Sequence, residues 1–148
     1  MRCSAISTIN LIVLLFIARP AWSDMPVYDE LQKHLWQNRQ VIAFSPTQGN
    51  YLYAELTRSI NSSRFDTEDR NLIFWHVIND KPHVIINRKS TPLTPVEVQK
   101  TFSADPSTFT LLLIGYDGEV KKRQYSADLQ PMFDAIDQMP IRQMEMQQ

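Results

Sequence analysis

At 148 residues, with 43% hydrophobic and 21% charged side chains, the chain has the size and apolar content of one globular domain and is too hydrophobic to remain disordered. A formal charge of −1, from 15 Lys+Arg against 16 Asp+Glu, excludes the basic excess of a nucleic-acid-binding surface. Three glycines in all leave no material for a glycine-rich phosphate loop.

The first segment reads as an address. Arg2 precedes the apolar run 11–18 (LIVLLFIA), which is too short to span a bilayer comfortably. Ala21 and Ser23 then put small side chains at the two positions a signal peptidase reads. Residues 1–23 are therefore expected to be a signal peptide cut between Ser23 and Asp24, with an uncleaved anchor as the alternative. Cys3, the only cysteine, lies before the apolar run, which disfavours lipoprotein processing, and it leaves with the leader. The exported domain, residues 24–145, is then expected to stand on its core alone, with neither disulfides nor thiol chemistry. Loss of Arg2 and Arg19 makes it more acidic. The expected location is periplasmic or secreted, with no stable membrane insertion after cleavage.

Val27, Leu31 and Leu35 recur at helical spacing and predict a short amphipathic helix ending near Trp36. The run 41–44 (VIAF) predicts a buried strand, followed by a turn cluster from Ser45 to Asn50. Asn50 is placed to cap a second helix marked by Leu52, Leu56 and Ile60. The run 72–78 (LIFWHVI) is apolar throughout, as a strand covered on both faces and paired in parallel must be. After a turn at 79–82, Val84, Ile85 and Ile86 add a short hairpin strand. Thr94, Pro95 and Glu97 spell a capping box with proline at the first helical position. Leu93 and Val98 take the staple positions of that helix, which should run to about Phe102. The run 109–114 (FTLLLI) predicts another buried strand, and Asp117-Gly118 a tight turn. Glu119 to Tyr125 return as an edge strand guarded by Lys121, Lys122 and Arg123. Asp128 is placed to cap a last helix with Leu129, Met132, Phe133 and Ile136 inward, ended by Pro140. The polar tail from Arg142 is expected to fray, residues 146–148 lying beyond the domain.

This order predicts an α/β fold, thioredoxin-like, with a central mixed sheet of about four strands flanked by helices. Thr110-Leu111-Leu112-Leu113, followed by Asp117-Gly118-Glu119-Val120, resembles the strand–turn–strand of thioredoxins. Ser45-Pro46-Thr47-Gln48 stands where those proteins carry Cys-x-x-Cys, and Phe109 where they carry a cis-proline. The fold resemblance thus comes without the redox chemistry. A closer resemblance rests on 39–44 (RQVIAF), on Gly115-Tyr116-Asp117-Gly118 with Lys121 and Arg123, and on 136–142 (IDQMPIR). These stretches resemble the domain of unknown function family numbered 4174, also known as the P-DUDES domain, over residues 26–145. The resemblance implies a thioredoxin-like fold without active-site cysteines, in exported bacterial and some extracellular animal proteins, with no agreed activity. One departure is Arg70-Asn71, where the family tends to have Arg-Asp.

Four residues are the candidates for binding. Ser45 and Thr47 sit in a loop entering a helix N-terminus, where free amides favour an anion. Arg142 follows the Met-Pro break and is expected to fork onto a carboxylate, with Asp137, Glu145 and Arg39 as its company. His34, His76 and His83 lack zinc-ligand spacing, and His76 reads as a packed strand residue. The acid pairs Glu68-Asp69 and Asp117/Glu119 read as solvated turn residues. No catalytic residue, metal or cofactor is assigned. The expected function is a non-redox binding or structural module for a protein or a small anionic ligand, and not for nucleic acid. The alternative is an enzyme using non-cysteine groups in the Ser45–Asn50 loop.

Overall fold

Three runs of branched and aromatic residues form the centre of one sheet in the computed structural model, which describes residues 26–148. The leader read at residues 1–23, with Cys3, lies outside the described residues. Helix α1 (Pro26–Gln32) leads to β1 (Arg39–Ser45), α2 (Tyr51–Ser62), α3 (Arg64–Asp69) and β2 (Leu72–Ile78). A two-strand hairpin follows, β3 (Ile85–Ile86) and β4 (Lys89–Ser90), then α4 (Pro95–Phe102). The chain closes with β5 (Thr110–Ile114), β6 (Val120–Gln124), α5 (Gln130–Asp137) and α6 (Pro140–Glu145).

The strand order is β4-β3-β2-β1-β5-β6. Only β1 and β2 are parallel, in register from Arg39 opposite Leu72 to Ser45 opposite Ile78; the other pairings are antiparallel. The fold is the expected α/β arrangement with a mixed sheet, but with six strands rather than about four. The extra pair turns at Asn87 and Arg88, both in the left-handed region (φ 46° and 68°), as a two-residue hairpin turn of mirror-image type demands. Its first strand, β3, falls within the short hairpin strand expected at Val84, Ile85 and Ile86; arginine does not advertise such a turn, so the return strand β4 left little trace in the sequence.

Strand parity divides the core in two. Ile42, Phe44, Ile73, Trp75, Leu112 and Ile114 face α1 and α4. Val41, Ala43, Phe74, Leu111 and Leu113 face α2 and α5, meeting Leu56, Met132, Phe133 and Ile136. On the first face the buried Trp75 indole donates to Gln40 Oε1 (2.9 Å), and the Gln40 amide donates to the Leu31 carbonyl (3.3 Å), so neither polar group is stranded.

Local side-chain caps set the starts of two helices. Asn50 Oδ1 accepts from the amides of Leu52 and Tyr53, and Thr94 and Glu97 form both halves of the capping box. Gly118 takes φ 83° in the β5–β6 turn, and the basic β6 is an edge strand. Elsewhere the elements differ from expectation. Helix α1 stops at Gln32, and the chain reaches β1 through turns in which Trp36 is left-handed (φ 61°). A separate α3 follows α2. Asp128 accepts from the Gln130 amide, one residue ahead of the position of a true cap. Pro140 does not end a helix but begins one: α5 has already stopped at Asp137, and proline at a first helical position gives up no hydrogen bond. Helix α6 replaces the frayed tail expected from Arg142 onward.

Candidate functional site

Arg39 and Ser45 are the first and last residues of β1, about 20 Å apart at ~3.3 Å per residue. The sequence candidates therefore belong to two places at opposite ends of the sheet.

At the Ser45 end the polar groups are satisfied from within. Ser45 is buried, and its hydroxyl donates to the Thr47 carbonyl (2.8 Å). The Gln48 amide donates to the Asp80 carboxylate (3.2 Å to each oxygen), and Asn50 takes the first amides of α2. A carboxylate from the protein's own chain thus already stands where an anion was expected. Thr47 is exposed. His76, two positions along β2 from Ile78, which pairs with Ser45, hydrogen-bonds Tyr53 Oη through Nδ1 (3.0 Å). Burial pushes the His76 imidazole below the usual histidine value, so it is neutral near pH 7. His83 is exposed, and among the described residues no three His, Cys, Asp or Glu side chains are grouped as metal ligands.

The Arg39 end is built differently. Arg39, Arg70 and Arg142 interlock with Asp66, Asp69, Asp137 and Glu145. Arg39 is fully buried; Nη1 donates to Glu145 Oε2 (3.2 Å), Tyr116 Oη (3.1 Å) and the Arg70 carbonyl (3.0 Å), and Nη2 to Glu145 Oε1 (3.3 Å). Its guanidinium lies 4.1 Å over the Tyr116 ring, and its Nε has no acceptor. Arg70 forks onto Asp137 (3.0 and 2.7 Å) and covers the Phe133 ring. Arg142 donates to Asp137 Oδ1 (3.3 Å), to the Asp69 carbonyl (2.9 Å) and to the Asp69 carboxylate. Asn71, the position of the family departure, donates to Tyr116 Oη (3.0 Å), which in turn donates to Glu145 (3.1 Å). Burial pushes the Asp137 carboxyl up, and the two arginine contacts outweigh it and hold it below the usual aspartate value. Arg142 thus meets both Asp137 and Glu145, as expected, and also Asp69, which the sequence presents as a solvated turn residue and which stays partly exposed.

This cluster backs a cavity of about 480 Å³. Trp36, Tyr116, Lys121, Met139, Pro140 and Ile141 line it, with Arg39 behind Tyr116 and Gln138 and Ala135 contributed by the α5 side. Trp36 is 68% exposed in its left-handed conformation and is pinned by its amide to the Tyr116 carbonyl (3.0 Å). Lys121 crosses close over Gly115, where a Cβ would come within 2.6 Å of the lysine Cε. Its ammonium is taken by Asp117 (2.6 Å) and Glu119 (3.0 Å), whose hydrogen bonds raise its pKa. Sequence reasoning missed Trp36 and Tyr116 as site residues. The available signal was a tryptophan stranded in the polar turn 36–38 (WQN), outside any apolar period.

No solved structure matches the chain. A family model described as a domain of unknown function matches residues 30–145, a span that takes in the β1 arginine, the cavity and the whole of α6: the chain belongs to the DUF4174 family.

Proposed function

We propose that this protein is an exported, thioredoxin-like domain without redox chemistry that works as a binding module, and that it takes its ligand in the cavity beside Arg39. Export rests on the leader pattern of residues 1–23. The non-redox reading rests on Cys3 being the sole cysteine and lying in that leader. The observation that carries the binding role is Trp36. A bulky side chain at φ 61° costs backbone energy, and an exposed indole at a cavity mouth gains little from its own core. Strain kept at such a place is the mark of a residue held for contact. The Ser45–Asn50 loop is the weaker candidate, because Asp80 already takes its Gln48 amide and Asn50 takes the first amides of α2.

The test is a two-dimensional NMR titration of protein recovered from the exported fraction, whose intact mass should begin at Asp24. The titrants are small neutral and anionic aromatic fragments. Shifts clustering at the Trp36 indole, Tyr116 and residues 139–141 are the expected result. Shifts confined to residues 45–50 would move the site to the loop, and the absence of saturable shifts anywhere would remove the small-ligand reading.

A further inference from the structure

We infer that the cavity selects an uncharged aromatic small molecule, and rejects its charged counterparts; this rests on the cavity being the binding site. Three observations converge on that chemistry. The cavity volume, about 480 Å³, lies in the range of small-ligand sites. Its lining offers two aromatic rings, Trp36 and Tyr116, and the flexible thioether of Met139 beside Pro140 and Ile141. Aromatic rings stack on or meet edge-on with other rings, and methionine adapts to their outline.

The third observation is charge. Each ionic group at the cavity already has its counter-ion. Lys121 is held by Asp117 and Glu119, and the Arg39 guanidinium is forked by Glu145 and covered by the Tyr116 ring. A ligand anion would shed water and meet no free cation, with Asp117 and Glu119 nearby to repel it. A ligand cation would find both acids engaged by Lys121. A neutral ring loses nothing of this kind on entry.

A matched pair of fluorescent probes tests the inference on the full protein: N-phenyl-1-naphthylamine, which is neutral, and 8-anilinonaphthalene-1-sulfonate, the same ring skeleton with a sulfonate added. The neutral probe should bind saturably, and the sulfonated one about tenfold or more weakly. Trp36→Gly, which suits the left-handed backbone, and Ala135→Phe, which fills the cavity from α5, should each weaken the neutral probe about tenfold or more. Thermal melts verify that both variants are folded. Equal or tighter binding of the sulfonated probe, still lost in both folded variants, would overturn the uncharged-ligand inference and leave the site standing. Binding of the neutral probe unaffected by either folded variant, or no saturable binding of it, would overturn the inference and the cavity together.

Discussion

Five non-glycine residues of the described chain hold a left-handed backbone: Trp36, Asn71, Asn87, Arg88 and Ser103. Their reasons differ. Ser103 ends α4, and its amide closes onto the carbonyls of Gln99 and Lys100, a position that glycine fills at less cost. Trp36 ends no helix, and its side chain lines the cavity. Replacing either by glycine should raise stability by about 0.5–1 kcal/mol in urea melts, since the strain relieved exceeds the entropy glycine adds to the unfolded chain. Only Trp36→Gly should change ligand binding. A destabilised Trp36→Gly would mean that the indole contributes to packing, against its 68% exposure. Asn71 shows how far one residue's role depends on its surroundings. Its side-chain amide donates to the Tyr116 hydroxyl, leaving that hydroxyl free to donate to Glu145.

Helix α6 is six residues long and presents two exposed methionine side chains at its end, Met144 and Met146, so burial alone does little to hold it. Ion pairs tie it down: Arg142 to Asp69 and Asp137, and Glu145 to Arg39. The arginines are withdrawn from water, with the Arg39 and Arg142 side chains 0% and 7% exposed, while Asp69, Asp137 and Glu145 stay partly solvated, so removing one member of the clamp breaks several hydrogen bonds and leaves its partners incompletely paired. Arg142→Ala should cost about 1–3 kcal/mol, and Arg142→Lys should recover little of it, since an ammonium cannot reproduce the fork. Unchanged thermal melts in both variants would show that α6 is held some other way. The same clamp has a pH signature. Asp137 has a folded pKa below its unfolded one, so its contribution is complete above the unfolded value of about 3.9 and is lost as pH falls through the folded value. Asp137→Asn should therefore be less stable than wild type by about 1–3 kcal/mol near neutral pH, with the gap narrowing below about pH 4. A gap that stays constant down to about pH 3 would contradict that assignment. Local elements such as the Thr94 box, the Asn50 cap and the Asp117-Gly118 turn were legible because each is written within a few neighbouring residues. Helix α6 was not. Proline is compatible with both a helix stop and a helix start, and the partners that decide between them lie 73 and 106 residues away.

For the whole molecule, the centre of the sheet was open to reading because β1, β2 and β5 are apolar on both faces, which only a doubly covered sheet can use. The candidate site was legible in part. Arg39 and Arg142 were picked out, and they meet through Glu145, which pairs with both. Ser45 and Thr47 were chosen for their loop, and the sequence held no sign that Asp80 would reach back to occupy it. The cavity itself was invisible, because it exists only where the turn after α1, the β5–β6 turn and the α5–α6 corner converge. This convergence is where we propose that the protein binds its ligand. A crystal of the protein soaked with N-phenyl-1-naphthylamine tests it most directly. Density for the ring system is expected in the cavity between Trp36 and the Met139–Ile141 corner, with the Arg39–Glu145 fork intact. Density at the Ser45–Asn50 loop, with the cavity empty, would contradict it.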